Sequence, residues 1–229
     1  MIRAIVFDLD DTLYREKDFV TSGFRAVAQY LANTHGYCFQ HLFPAMMTTF
    51  EEEGRKAVFH MLQDEFLDSS IPISELVDVY RRHRPSIRLF PGYSGLLRRL
   101  ARYHRLGIIT DGLPEVQQNK AQALRVQSLM DCIVYTWAFG MEKEKPHPFP
   151  FSLMLESLGT EPNSVLFVGD NPDKDCRGAH SAGMIYAQLR MCGLWDQKTC
   201  RGIDAPEFTI DTLLQLPLIL RKLNGHERN

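Results

Sequence analysis

Four short apolar runs constrain this chain most: IRAIVF (2–7), RLGIIT (105–110), CIVYT (132–136) and SVLFVG (164–169). Each is mostly aliphatic or β-branched and short enough to be a buried strand rather than a helix. Between them the spacing turns helical. In PGYSGLLRRLARYH, Leu96, Leu97 and Leu100 fall at helical intervals behind a Pro-Gly turn. PEVQQNKAQALRV begins with Pro114, which suits a first helical turn, and FPFSLMLESLG is closed by Gly159. A helix near DKDCRGAHSAG, an apolar stretch MIYAQL and a strand plus helix in EFTIDTLLQLPLILRKL continue the alternation. Strands alternating with helices predict an α/β fold built on a doubly wound parallel sheet.

One segment breaks this rhythm. From Arg15 to Arg88 the pattern is helical throughout, as in FVTSGFRAVAQYLANTHG, FPAMMTTFEEEGRKAVFHML and ISELVDVYRRHR. The expectation is an α/β core from 1–14 and 89–229, with an α-helical cap at 15–88 inserted after the first strand. A chain of 229 residues can bury such a core and carry the insertion. The terminal NGHERN reads as a frayed end.

Composition removes several classes of function. The formal charge of −2 is spread over both signs, so there is no basic footprint for nucleic acid. No apolar stretch approaches the roughly 20 residues that span a bilayer. Arg3 and Asp8 interrupt the hydrophobic region a secretory leader would need. Cys38, Cys132, Cys176, Cys192 and Cys200 form no CxxC pair, and we expect reduced thiols in a cytoplasmic protein.

In an open parallel sheet, ligands bind beyond the carboxyl ends of the strands. After the first run come Asp8, Leu9 and Asp10; after the second, Thr110, Asp111 and Gly112. The third leads to Lys143 and Lys145, and the fourth to Asp170, Asn171, Pro172, Asp173, Lys174 and Asp175. Carboxylates, a hydroxyl and a cation are thus expected on one rim. Acids at separated chain positions make an oxygen-rich site suited to a hard divalent cation such as Mg²⁺.

With these motifs in this order, the chain resembles the haloacid dehalogenase superfamily, in its phosphatase branch with a helical cap. DLDDT, the Thr of TDG, the second Lys of KEKPHP and GDNPDKD match that superfamily's four motifs. The resemblance implies that Asp8 is a nucleophile forming an aspartyl-phosphate, and that Asp10 is a general acid and then a general base. It implies that Thr110, the N–H groups of Asp111 and Gly112, and Lys145 hold the phosphoryl group. Asp8, Asp170 and the backbone carbonyl of Asp10 would hold Mg²⁺, with Asp175 either a further ligand or a partner that orients the ligands. Dehalogenases lack the second Asp, so Asp10 favours phosphoryl transfer. Asp111 departs from the Asn that members often show, and an ionised side chain there would repel a phosphate.

The implied activity is a Mg²⁺-dependent phosphatase acting on a small phosphorylated metabolite, such as a nucleoside monophosphate or sugar phosphate. A phosphomutase using the same intermediate, or a phospho-accepting signalling domain, is the alternative. Other residues have plainer readings. Asp11 and Asp173 suit capping or exposed positions, Thr12 a bond to nearby backbone, and Lys143 a solvated surface. Phe19, Phe24, Tyr30, Phe50 and Phe59 suit cap core, and Glu51, Glu52 and Glu53 an exposed face. The basic run Tyr80–Arg84 reads as a solvated helix end. Tyr14, Arg15 and Lys17 are candidates for substrate contact.

Overall fold

The computed structural model describes residues 1–68, 70–190 and 205–225. It divides into two compact units, Met1–Arg15 with Arg88–Asn229, and Glu16–Ile87. The first unit opens with β1 (Ala4–Phe7). The second supplies α1 (Glu16–His35), α2 (Phe39–Glu53), α3 (Arg55–Met61) and α4 (Ile73–Arg82), with a π-helical turn, Leu62–Phe66, continuing α3. The first then resumes with α5 (Tyr93–Leu100), β2 (Arg105–Thr110), α6 (Pro114–Ala123), β3 (Cys132–Tyr135), α7 (Pro148–Leu158) and β4 (Val165–Gly169). It closes with α8 (Arg177–Ser181), β5 (Ile185–Leu189), β6 (Phe208–Ile210) and α9 (Leu216–Gly225).

The strands form a parallel sheet in the order β3-β2-β1-β4-β5-β6. This is the doubly wound α/β architecture expected from the alternating pattern. β1 and β4 are buried along their whole length, as their continuous apolar character requires. Val6, Phe151, Met154, Phe167 and Tyr186 belong to one core cluster. α5 buries Tyr93, Leu96, Leu97 and Leu100, an i, i+3, i+4, i+7 stripe. α7 ends where Gly159 turns left-handed at φ 56°. The chain runs outward from β1 to β2 and β3, then returns to place β4 on the other side of β1. That reversal puts the carboxyl ends of β1 and β4 at the crevice where such sheets bind ligands.

Two elements differ from the pattern reading. Thr136 leaves the third strand and starts a 3₁₀ turn, Thr136–Phe139, because its hydroxyl is captured by Asp111 at 2.9 Å. The helix around DKDCRGAHSAG is a π-helical turn, Pro172–Cys176, running into the short α8.

In the second unit the Tyr80 ring meets Phe19, Phe24 and Phe59 edge-on or tilted, and Phe24 also packs edge-on against Phe59 and Phe50. Tyr30 instead donates to Glu75. The run Tyr80–Arg84 is not one solvated strip: Tyr80 and His83 are buried, while Arg81, Arg82 and Arg84 are exposed. Glu51, Glu52 and Glu53 are exposed, and Glu51 binds Lys17 at 2.6 Å. Among the described residues, Cys38, Cys132 and Cys176 form no disulfide. Cys192, Cys200 and the last four residues of NGHERN lie outside the described residues. No helix among the described residues is long and apolar enough to cross a membrane.

Candidate active site

The end of β1 is stitched to β4 by the Asp8 N–H, which donates to the Val168 carbonyl at 2.9 Å. Two acidic strand ends therefore lie side by side. Asp8, Asp170 and Asp175 each present a carboxylate oxygen within 4.8 Å of the others, and all three are buried. Asp175 owes its place to the π-helical turn: its N–H donates to the Asn171 carbonyl at 2.8 Å, and its Oδ2 accepts from the Asn171 N–H at 3.1 Å. A β-carbon at Gly169 would collide with the Asp175 carboxylate, so the residue before Asp170 must be glycine. Lys145 enters from the loop after β3. Its Nζ donates to Asp8 Oδ1 at 2.5 Å and to Asp175 Oδ1 at 2.7 Å, and it is buried. Lys143 occupies a 3₁₀ turn, Met141–Lys143, near the Phe149 ring.

Three buried carboxylates face one buried ammonium, and the imbalance appears in their acidities. Burial pushes Asp8 up to about 8, reinforced by Asp175 and Asp10 and opposed by Lys145. Burial likewise pushes Asp170 up to about 9, with Asp8, Asp175 and Asp11 adding to the effect. Burial works against the charge on Lys145, but Asp175, Asp8 and Asp111 hold its pKa well above the usual lysine value. Burial and the neighbouring acids thus favour the neutral form of Asp8, and a further cation in the cluster would shift it toward the ionised form. The donor set fits a hard divalent ion: all-oxygen, acidic and carrying uncompensated negative charge.

Asp10 has a different environment. Its carboxylate is turned toward α6, where Lys120 Nζ donates to both oxygens at 2.8 and 2.9 Å and Gln117 Nε2 donates at 2.9 Å. The buried Tyr14 hydroxyl also donates to it. Burial raises the Asp10 pKa, but Lys120, Gln117 and Tyr14 together overcome it and leave the group below the ordinary carboxylate value. A general acid reading from the sequence expects the opposite shift. The difference arises because Lys120 is in contact with Asp10, whereas Asp8 is not its bonded neighbour. Tyr14, a candidate for substrate contact, is instead committed to Asp10. Arg15 is exposed.

Gln117 and Lys120 are the residues that reading the motifs misses. Gln117 Nε2 also lies 2.5 Å from Thr110 Oγ1 and 2.7 Å from the Asp111 carbonyl, joining the second motif to Asp10. The available signal was their spacing of three behind Pro114, which puts two polar side chains on the face of α6 that also buries Ala121.

Thr110 is buried at the end of β2. The Asp111 side chain faces its own loop neighbours: Oδ1 accepts from Thr136 Oγ1 at 2.9 Å and from the Lys145 N–H at 3.1 Å, and Oδ2 accepts from Lys174 Nζ at 3.1 Å. Asp11 adopts a left-handed φ of 52°. Asp173 is exposed, and its N–H donates to Asn171 Oδ1 at 3.1 Å. The Thr12 hydroxyl is buried with no partner among the described residues, where a bond to nearby backbone was expected.

The sequence pattern of haloacid dehalogenase-like hydrolases matches residues 5–188. The chain belongs to that family. It is 27% identical over 233 residues to the glyceraldehyde 3-phosphate phosphatase of Methanopyrus kandleri, covering 97% of this chain and 99% of that one. It is 26% identical over 228 residues to the pyrophosphatase PpaX of Bacillus cereus, covering 97% and 98%. Among solved structures, the 2-haloacid dehalogenase of Pseudomonas syringae superposes with a TM-score of 0.68 at 26% identity, covering 97% and 99%. The enzyme is therefore a hydrolase of the haloacid dehalogenase-like family, with relatives named as phosphatases along nearly its whole length.

Proposed function

We propose that this hydrolase is a Mg²⁺-dependent phosphatase that frees inorganic phosphate from small phosphorylated metabolites through an aspartyl-phosphate on Asp8. The observation that carries this reading is the bridge of Lys145 from Asp8 to Asp175, with Asp170 in the same buried cluster. That arrangement is costly unless charge is to be cancelled there. Asp8, Asp170 and Asp175 would hold Mg²⁺, with the Asp10 carbonyl as a further oxygen ligand. Bound there, the ion would withdraw charge from the phosphoryl oxygens and favour the ionised form of Asp8.

An Asp8 oxygen attacks phosphorus, and the bond from phosphorus to the ester oxygen breaks. Asp10, ionised while Lys120 holds it, must leave Lys120 and take up a proton from solvent, and it gives that proton to the leaving alkoxide. Water then attacks the same phosphorus, Asp10 takes a proton from it, and the bond between Asp8 and phosphorus breaks. Lys145, Thr110 and the N–H groups of Asp111 and Gly112 balance charge on the phosphoryl oxygens throughout. To meet a leaving group, Asp10 must let go of Lys120. Asp10 also favours a phosphatase over a dehalogenase, since halide needs no proton on departure.

The relatives' names point to triose phosphates and pyrophosphate as first substrates to try, beside sugar phosphates and nucleoside monophosphates. A phosphomutase would share every residue named here and differ only in returning the phosphoryl group. The test is a screen of these compounds for phosphate release and for isomer formation, with and without Mg²⁺. We expect free phosphate from at least one of them only with Mg²⁺, and none from Asp8→Asn. Native rates in Asp8→Asn would remove Asp8 as nucleophile, and an isomer as the sole product would replace the phosphatase with a mutase.

A further inference from the structure

An anion stands beside the place where the substrate's own anion is proposed to bind. Asp111 follows Thr110 directly, and its N–H belongs to the proposed phosphate loop, so its carboxylate is one residue from groups that hold a dianion. Uncompensated, it would oppose binding. The structure engages both of its oxygens. Oδ1 takes the Thr136 hydroxyl and the N–H of Lys145, and Oδ2 takes Lys174 Nζ at 3.1 Å. Lys174 also reaches Glu144 at 3.4 Å, in the loop that carries Lys145. One carboxylate thus ties together the loops after β2, β3 and β4.

The charges are mutually dependent. Burial works against ionised Asp111, and Lys145 and Lys174 together overcome it and hold its pKa below the usual value. Asp111 in turn is among the acids that keep Lys145 protonated. Its field therefore extends to the ammonium group that binds Asp8, and any change in its compensation reaches the centre of the site.

We propose that Lys174 is a built-in counter-ion, which neutralises Asp111 so that the neighbouring loop accepts an anionic substrate while Asp111 positions Lys145 through its backbone N–H. The proposal rests on the phosphatase reading. The two side chains act as positioning groups: the Asp111 N–H faces the phosphoryl group, but neither the Asp111 carboxylate nor the Lys174 ammonium is required to touch the reacting atoms. The Lys174 side chain is 35% exposed and that of Asp111 15%, so solvent screens the pair in part and the expected effects are moderate.

The test is a double-mutant cycle on the Mg²⁺-loaded enzyme, comparing native, K174M, D111N, K174M/D111N and K174R. The readouts are the inhibition constant of inorganic phosphate and the KM and kcat for p-nitrophenyl phosphate. We expect K174M to weaken phosphate binding about tenfold, with KM rising more than kcat falls, because one uncompensated, partly screened like charge is left beside the anion. In the D111N background the same substitution should change phosphate binding less than twofold, and K174R should recover most of the native affinity. Where K174M fails to fold, K174Q takes its place.

An equal loss in both backgrounds would mean that Lys174 meets the substrate directly or acts only on folding, and either overturns the proposal. So would native phosphate binding in K174M. Failure of the underlying reading looks different: a native enzyme that neither binds phosphate nor releases it from any substrate.

Discussion

Replacing Lys120 with Met removes the cation that holds Asp10 while preserving most of the apolar stem. The Lys120 side chain is 4% exposed and its ammonium lies 2.8 and 2.9 Å from the two Asp10 oxygens, whereas the Asp10 side chain is 23% exposed. Breaking a fully buried pair from one side costs about 3–5 kcal/mol. Asp10 keeps Tyr14 and Gln117 and sees some solvent, so we expect a loss of about 2–3 kcal/mol at pH 7. For a chain of this size that lowers Tm by roughly 4–12 °C.

The pH dependence identifies the group responsible. In the native protein the Asp10 pKa is depressed, so its stabilising contribution is present above the unfolded value near 4 and is lost as pH falls through the folded value. Without Lys120 the largest lowering influence is gone while burial remains, so the Asp10 pKa in the variant should lie above the native one and the variant should gain less stability as pH rises. The gap between native and variant should therefore narrow as pH falls from 7 toward 4, read by thermal melts in buffers of equal ionic strength. A Tm within 1 °C of native at pH 7, or a gap equally wide at pH 4.5, would refute the Lys120–Asp10 pairing as described.

Three further outcomes are expected. In metal-free enzyme, Asp8 near 8 and Asp170 near 9 lie above their unfolded values of about 4, so stability should fall as pH rises between those limits. The Tm gain from Mg²⁺ should then be larger at pH 8 than at pH 5.5, and an equal gain would contradict the charge imbalance. Gly169→Ala should cost about 1–3 kcal/mol through collision with Asp175, and should weaken the Mg²⁺ dependence of Tm. Asp10→Asn should slow alkyl phosphates more than p-nitrophenyl phosphate, because only the poorer leaving group needs the proton; equal slowing would remove its role as acid.

Local pattern was enough for the sheet and for most of the helices. Val6 and Phe7 in β1, or Leu166 to Val168 in β4, form continuous apolar runs because both faces of those strands are covered, and such runs are visible without knowing the partners. Position within a run also marks its end, which is how Asp8, Thr110 and Asp170 could be named as strand-end residues. Thr136 escaped this reading because its hydroxyl answers to Asp111, 25 positions earlier in the chain.

What only the fold decided is the charge state of the rim. Asp8 and Asp10 are two residues apart and chemically identical, yet one is pushed to about 8 and the other held below its ordinary value. The difference comes from Lys120, 110 positions away along the chain, and from the depth at which each carboxylate is buried. Asp111 is tolerable for the same reason, since its counter-charge on Lys174 arrives from 63 positions away. Coulomb energy depends on separation in space and on the surrounding dielectric, and neither quantity is written in the order of the residues.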